Sequence, residues 1–248
     1  MVNVKGKWAL ITGASRGIGY LTALFMAKQG CNLILHSRKK EHCDKVLSEV
    51  KAKGVEAVVV EAELVDLDQV QAMLNTIDEM GMQVDIVLNN AGVQIAYRND
   101  YCATPVSDFT QSFNINTIAP AMICYHVLPK MVERGFGRIL NTTSGIALDP
   151  QQAGYSASKA ALDKFTIDLG SKVQGTDVMI NLTDPGWCRT DLGGPHAPNA
   201  PESAIPGIVV GAFVDDKKSG RYLNAPHFTG MTLEEAVAHA EANFNSPY

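Results

Sequence analysis

Two kinds of apolar patterning alternate along the chain. Short apolar runs bounded by turn residues occupy 8–11, 32–36, 57–61, 84–89, 138–141 and 178–182, and each predicts a buried strand; a weaker seventh lies at 220–224. Between the runs, apolar residues recur at helical spacing. Leu21, Leu24, Phe25 and Ala27 mark a first helix, and amphipathic helices are expected over 39–53 and 68–80, with Gly54 and Gly81 placed to end them. A long helix is expected over 106–134, with Pro120 as a kink inside it, and another over 153–173. Strands joined through helices of this length need crossover connections. The pattern therefore predicts one α/β domain over 1–248, a Rossmann-like doubly wound parallel sheet of about seven strands with helices on both faces. One stretch, 185–206, breaks the rhythm with crowded proline and glycine; it leaves the sixth strand's carboxyl end, so a lid is expected over about 186–212.

Composition narrows the class. An apolar share of 46% is ample for a core, and a net charge of −5 without a basic patch argues against a nucleic-acid surface. The longest apolar runs fall far short of a membrane span, and residues 1–7 lack the apolar segment of a signal peptide. Cys31, Cys43, Cys102, Cys124 and Cys188 are scattered and read as reduced packing thiols; the histidines form no metal-ligand spacing. The expectation is a cytoplasmic protein with no metal site, no membrane anchor and no nucleic-acid partner.

Candidate chemistry begins at Thr12-Gly13-Ala14-Ser15-Arg16-Gly17-Ile18-Gly19, where the first strand turns directly into a helix. That geometry aims backbone N–H groups and the positive end of a helix dipole at one point, and side chains at Gly13, Gly17 or Gly19 would keep a pyrophosphate away. Tyr155 and Lys159 lie four apart on a helix, so both project from one face. A phenol with a pKa of about 10 is a weak acid or base at neutral pH, and a nearby ammonium brings that value down. Moving it toward 7 takes roughly 4 kcal/mol of preferential stabilisation. Such a pair can protonate a carbonyl oxygen as it receives hydride, or take the proton from an alcohol in reverse. Ser144 follows the fifth strand, where a hydroxyl can hold a substrate oxygen against the tyrosine. Asn89-Asn90-Ala91-Gly92 ends the fourth strand and permits close backbone approach, and Asn116 stands inside the predicted long helix, to cap it, kink it or hold a water.

Taken together, these residues and Pro185-Gly186 resemble the ordered motifs of the classical short-chain dehydrogenases/reductases over nearly the whole chain. The segment 185–192 is similar to its counterpart in carbonyl reductases of that family. The resemblance implies Tyr155 as general acid/base and Lys159 as the group that lowers its pKa and binds the nicotinamide ribose. It implies Ser144 as the residue that orients the substrate oxygen, Asn116 in a water-mediated proton relay, and Pro185, Gly186 and Thr190 against the nicotinamide. The Ser144–Tyr155 gap is shorter than usual, and the usual distance falls on Thr142. Glu63, followed by Leu64, stands where an aspartate commonly contacts adenine.

Cofactor choice follows from charge. The second strand ends in His36-Ser37-Arg38-Lys39 with no acid for a ribose 2′-hydroxyl, while Arg16 and Arg38 suit a 2′-phosphate. The expected cofactor is NADP(H), and the expected reaction interconverts a carbonyl and a secondary alcohol on a small molecule. Ile95, Ile146, Trp187 and Leu192, with Tyr97 and Leu148, are candidates for an apolar substrate pocket. A 3-oxoacyl-carrier-protein reductase is the rival enzyme reading, and a nucleotide sensor without turnover the rival outside catalysis. The resemblance also implies a homo-oligomer, a tetramer or dimer, built on the two long helices.

Overall fold

The structure, a computed structural model, describes residues 1–247. Seven strands form one parallel sheet: β1 Trp8–Ile11, β2 Asn32–Ser37, β3 Ala57–Glu61, β4 Val84–Asn89, β5 Gly137–Thr142, β6 Val178–Asp184 and β7 Tyr222–Asn224. Their spatial order is β3-β2-β1-β4-β5-β6-β7, every neighbouring pair parallel. The chain winds outward from β1 to β3, returns beside β1 as β4 and winds the other way. Loops after β1 and β4 therefore part in opposite directions and leave a crevice at the sheet's carboxyl edge.

Strand residues alternate between two apolar layers. Ala9, Ile11, Leu33, Leu35, Ile86 and Leu88 face the layer shared with α1 (Gly17–Lys28) and α2 (Asp44–Lys51). Leu10, Ile34, Val87, Ile139 and Ile180 face the layer of α3 (Leu67–Glu79) and the helices around 106–134 and 153–171. Both faces are buried, which is why the strands read as continuous apolar runs.

Several expectations are corrected. The helix over 106–134 is α4 (Val106–Phe113), a π turn at Asn114–Ile118 and α5 (Ala119–Arg134). Pro120 sits in the first turn of α5, where its missing N–H costs little, so the irregularity belongs to the π turn and not to a proline kink. The stretch 39–53 opens as a 3-10 turn before α2. A helix not anticipated, α7 (Leu233–Asn243), starts with a capping box: Glu235 N–H donates to Thr232 Oγ1 at 3.2 Å and Thr232 N–H to Glu235 Oε2 at 2.8 Å. Within the stretch 186–212 expected to form a lid, Ile208, Val209, Val210 and Ala212 are core residues.

A buried polar chain fixes α6 (Ala153–Ser171) to the sheet. Asn89 on β4 donates to Asn141 Oδ1 on β5 at 2.8 Å, Asn141 donates to Thr166 Oγ1 on α6 at 2.8 Å, and Thr166 donates to the Leu162 carbonyl at 2.7 Å. Replacing Asn141 by Ala removes the short bonds to Asn89 and Thr166 and leaves the buried Asn89 amide only long contacts, to the Pro120 carbonyl at 3.5 Å and Cys124 Sγ at 3.7 Å. The expected loss is about 3 kcal/mol of unfolding free energy, read as a lower urea midpoint; an unchanged midpoint would remove this chain as the anchor of α6.

Candidate active site

The glycine turn shows why small residues stand there. Gly13 (φ +67°) and Gly17 (φ +55°) occupy left-handed backbone, and a Cβ on Gly13 would lie 3.0 Å from Ala91 Cα. A Cβ on Gly19 would run into the Gly13 carbonyl oxygen and the Asn90 side chain. Gly19 therefore serves close packing and does not line the cleft, in contrast to the direct cofactor contact expected for it. The two crevice loops are tied together: Asn90 donates to the Thr12 carbonyl at 3.1 Å, and Ala91 N–H donates to Thr12 Oγ1 at 3.0 Å. His36 supports the turn from β2. Its Nδ1 accepts from Gly13 N–H at 3.2 Å and its Nε2 faces the Ala62 carbonyl at 3.1 Å, an arrangement that fits the neutral ring with the proton on Nε2. Burial, opposed by that carbonyl, pushes its pKa down to about 4. The N–H groups opening α1 have no side-chain cap and face the crevice.

A cleft of about 1590 Å³ runs along this edge. Ser15, Arg16, Gly17, Ile18, Ser37 and Arg38 line one end together with Glu63 and Leu64. Asn90, Ala91 and Gly92 line its middle, and Ser144, Tyr155, Lys159, Pro185, Gly186 and Thr190 the other end. Ile95, Ile146, Trp187 and Leu192 also reach it, whereas Tyr97 and Leu148, offered as pocket residues, are exposed outside the lining. Arg16 Nη1 meets Asp191 Oδ2 at 2.6 Å, a surface ion pair joining the glycine turn to the segment after β6. That segment is braced within itself by Trp187 Nε1 donating to the Gly193 carbonyl and Arg189 Nη1 donating to those of Ala197 and Pro198.

Tyr155 and Lys159 face the cleft from the first turns of α6, both buried. Lys159 Nζ donates to the Thr142 carbonyl at 2.7 Å and stands 5.9 Å from the Tyr155 ring centre. Burial pushes its pKa down to about 8, against the pull of the Asp163 and Asp184 carboxylates. For Tyr155, burial raises the pKa, the Ser144 side chain hydrogen-bonds it and lowers it, and the Asp184 charge raises it again. The net direction is upward. The ammonium donates to the Thr142 carbonyl and not to the phenol itself. Thr142, the alternative to Ser144, lies on β5 and contributes its carbonyl to Lys159, whereas the Ser144 hydroxyl is the one beside the phenol.

Asn116 sits in the π turn, fully buried and behind the cleft wall. Its Oδ1 accepts from Val93 N–H at 2.9 Å, and its Nδ2 donates to the Val93 carbonyl at 2.9 Å and to Ser158 Oγ at 3.0 Å. The side chain thus clamps the loop after β4 to α6. Residues that the sequence reading passed over complete the site. Asp184 closes β6, and Asp163 lies one turn beyond Lys159, its pKa raised to about 6 by burial. Gln152 lines the cleft with its Oε1 unpaired among protein groups. An acid just before Pro185 at a strand's carboxyl end was the one readable signal among these.

The family model for short chain dehydrogenase matches residues 7–200, and the chain belongs to that family. It is 31% identical over 245 residues to the ketoacyl reductase HetN of Nostoc sp., covering 97% of this chain and 75% of that protein. It is 28% identical to the 3-oxoacyl-[acyl-carrier-protein] reductase FabG of Staphylococcus aureus, over 92% of this chain and 95% of that one. Among solved structures, a short-chain type dehydrogenase/reductase from Mycobacterium marinum superposes with a TM-score of 0.72 at 27% identity, covering 96% and 91% of the two chains. The L-sorbose reductase of Gluconobacter frateurii, complexed with NADPH and L-sorbose, gives 0.70 at 26% identity over 76% and 72%. The protein is an oxidoreductase of this family, whose cofactor is NAD(P)(H).

Lys159 leaves a signature in stability. The unfolded chain holds this proton to about pH 10.5 and the folded chain only to about 8. Folding therefore releases a proton between these values, and this residue's contribution to stability rises with pH across that window. Urea unfolding of Lys159→Met should lack that rise relative to the unsubstituted protein; parallel pH curves would contradict the burial argument.

Proposed function

We propose that the chain is an NADP(H)-dependent oxidoreductase that interconverts a carbonyl and a secondary alcohol, with Tyr155 as the general acid/base. The observation that carries this is the meeting of Tyr155, Lys159 and Ser144 at one end of a cleft whose other end is the glycine turn. The residues present fit a dinucleotide. Free N–H groups at the start of α1 suit its pyrophosphate, and the left-handed Gly13 and Gly17 keep that surface bare. Ser37 and Arg38 at the end of β2 offer no acid against a 2′-phosphate, and Arg16 joins them by exchanging Asp191 for the phosphate. Two structural neighbours, the L-sorbose reductase and a metagenomic oxidoreductase, are described as complexes with NADPH or NADP, which supports this choice.

When bound, the nicotinamide supplies or accepts the hydride. The chain's own groups manage the oxygen and its proton. Ser144 holds the substrate oxygen beside the phenol, and Tyr155 gives it the proton in reduction or removes it in oxidation. Lys159 binds the cofactor ribose and lends its positive charge to the phenolate that remains after proton transfer. Asn116 keeps the loop after β4 against α6, so that the cleft wall and Tyr155 hold one register. Pro185, Gly186 and Thr190 bear on the nicotinamide, and Ile95, Ile146, Trp187 and Leu192 take the substrate's apolar part. The chain works as a homo-oligomer through its long helices, where Tyr125 and Val132 are exposed.

A second reading, reduction of a 3-oxoacyl group on a carrier protein, is favoured by the names of several relatives. Under the main reading, Tyr155→Phe keeps its affinity for NADPH and loses turnover of a free ketone by about 10³-fold. Retained turnover would remove Tyr155 as the acid/base group.

A further inference from the structure

Asp184, the last residue of β6, is buried, and three donors converge on its carboxylate. Gly186 N–H donates to Oδ1 at 2.8 Å, Gly145 N–H to Oδ2 at 3.0 Å, and the Tyr222 hydroxyl to Oδ2 at 2.6 Å. The donors come from three separate segments. Gly145 follows Ser144 in the loop after β5, Gly186 belongs to the turn that faces the cleft after β6, and Tyr222 opens β7. Three donors and no acceptor suit a carboxylate alone. An asparagine amide in either orientation would set its NH2 against one of the two backbone N–H groups. The Gly145 position is equally specific, since a Cβ there would lie 3.3 Å from Asp184 Oδ2 and 3.6 Å from the Tyr222 hydroxyl.

We propose that Asp184 is a positioning residue, which with Tyr222 locks the Ser144 loop and the Gly186 turn into one frame around Tyr155 and sets the charge behind the phenol. The first half follows from the contacts, because the serine loop and the cleft-facing turn have this carboxylate as their common partner. The second half follows from the groups that face the corner. Lys159 and Asp163 approach from α6, Asp184 from β6, Tyr222 from β7, and Cys188 from beyond the turn. Tyr222 is held protonated by burial and by its bond to Asp184, so it adds no charge of its own. The Asp184 charge opposes ionisation of Tyr155, while its attraction for Lys159 helps keep the ammonium charged. A phenol kept protonated is the form that gives a proton to a carbonyl oxygen. Where turnover is concerned, the inference rests on the acid/base role proposed for Tyr155, and it biases that group toward reduction.

The test needs no substrate. Tyrosinate absorbance is titrated in the unsubstituted protein, in Asp184→Asn and in Tyr155→Phe, the last identifying the Tyr155 transition by its loss. Amide hydrogen exchange at Gly145 and Gly186 is followed in Asp184→Asn and Tyr222→Phe. We expect the Tyr155 transition at lower pH in Asp184→Asn, and roughly tenfold or faster exchange at both glycines in both variants, with the other strand ends unchanged. An unmoved Tyr155 transition, or exchange at Gly145 and Gly186 that stays as slow as before, would overturn the proposal. Should Asp184→Asn not fold, the exchange in Tyr222→Phe decides by the same criterion. A protein that passes these measurements yet reduces no carbonyl would contradict the proposed activity and not the role of Asp184.

Discussion

The site depends on the return of the chain from β3 to a place beside β1. That crossover sets two loops against each other at the sheet's carboxyl edge, and each would be free to move without the other. Thr12 joins them, its carbonyl taking the Asn90 amide and its hydroxyl taking the Ala91 N–H. Gly13 and Gly19 make the approach sterically feasible, and His36 holds the turn from β2. A helix N-terminus is a common feature of proteins. One fixed in register with a buried lysine and tyrosine further along the same edge is what turns a sheet into a reaction site.

Buried polar groups set the chemistry of the other end. Lys159, Asp163, Tyr155 and Tyr222 gather around Asp184, and burial disfavours the charged form of each of these four. The ammonium retains its proton near neutral pH because two carboxylates face it. The phenol remains protonated chiefly because it is buried, with Ser144 pulling the other way and the Asp184 charge adding a smaller push in the same direction as burial. The corner is therefore balanced between opposed charges, and anything bound beside it that carries charge will tip the balance.

Much of this was readable from the sequence, and the exceptions have physical reasons. Six strands announced themselves because a parallel sheet buried on both faces leaves apolar runs, whereas β7, a three-residue strand at the sheet's edge, gave the weaker signal at 220–224. The glycine turn, Tyr155 and Lys159 were legible because their spacing is local: three glycines in one turn, and two residues one helical turn apart. The π turn at Asn114–Ile118 was not, since a single extra residue in a helix has no compositional mark, and Pro120 offered a more familiar cause of irregularity. Helix α7 left a readable capping box at Thr232 and Glu235. The burial of 208–214 was not foreseen, because the proline and glycine before it read as a surface segment while its own apolar residues enter the core. Asp184 escaped notice because its meaning is non-local: an acid before proline reads as a turn until β7 brings Tyr222 beside it.

The central claim is that the cleft moves hydride between NADP(H) and a free carbonyl. Its most direct test is the loss of reduced-nicotinamide absorbance with NADPH, and separately with NADH, across ketones, aldehydes, diketones, steroids and acetoacetyl thioesters. The account predicts turnover of at least one free carbonyl, faster with NADPH than with NADH. Turnover of the thioester alone, a preference for NADH, or no turnover of any carbonyl while NADPH binds tightly would contradict it.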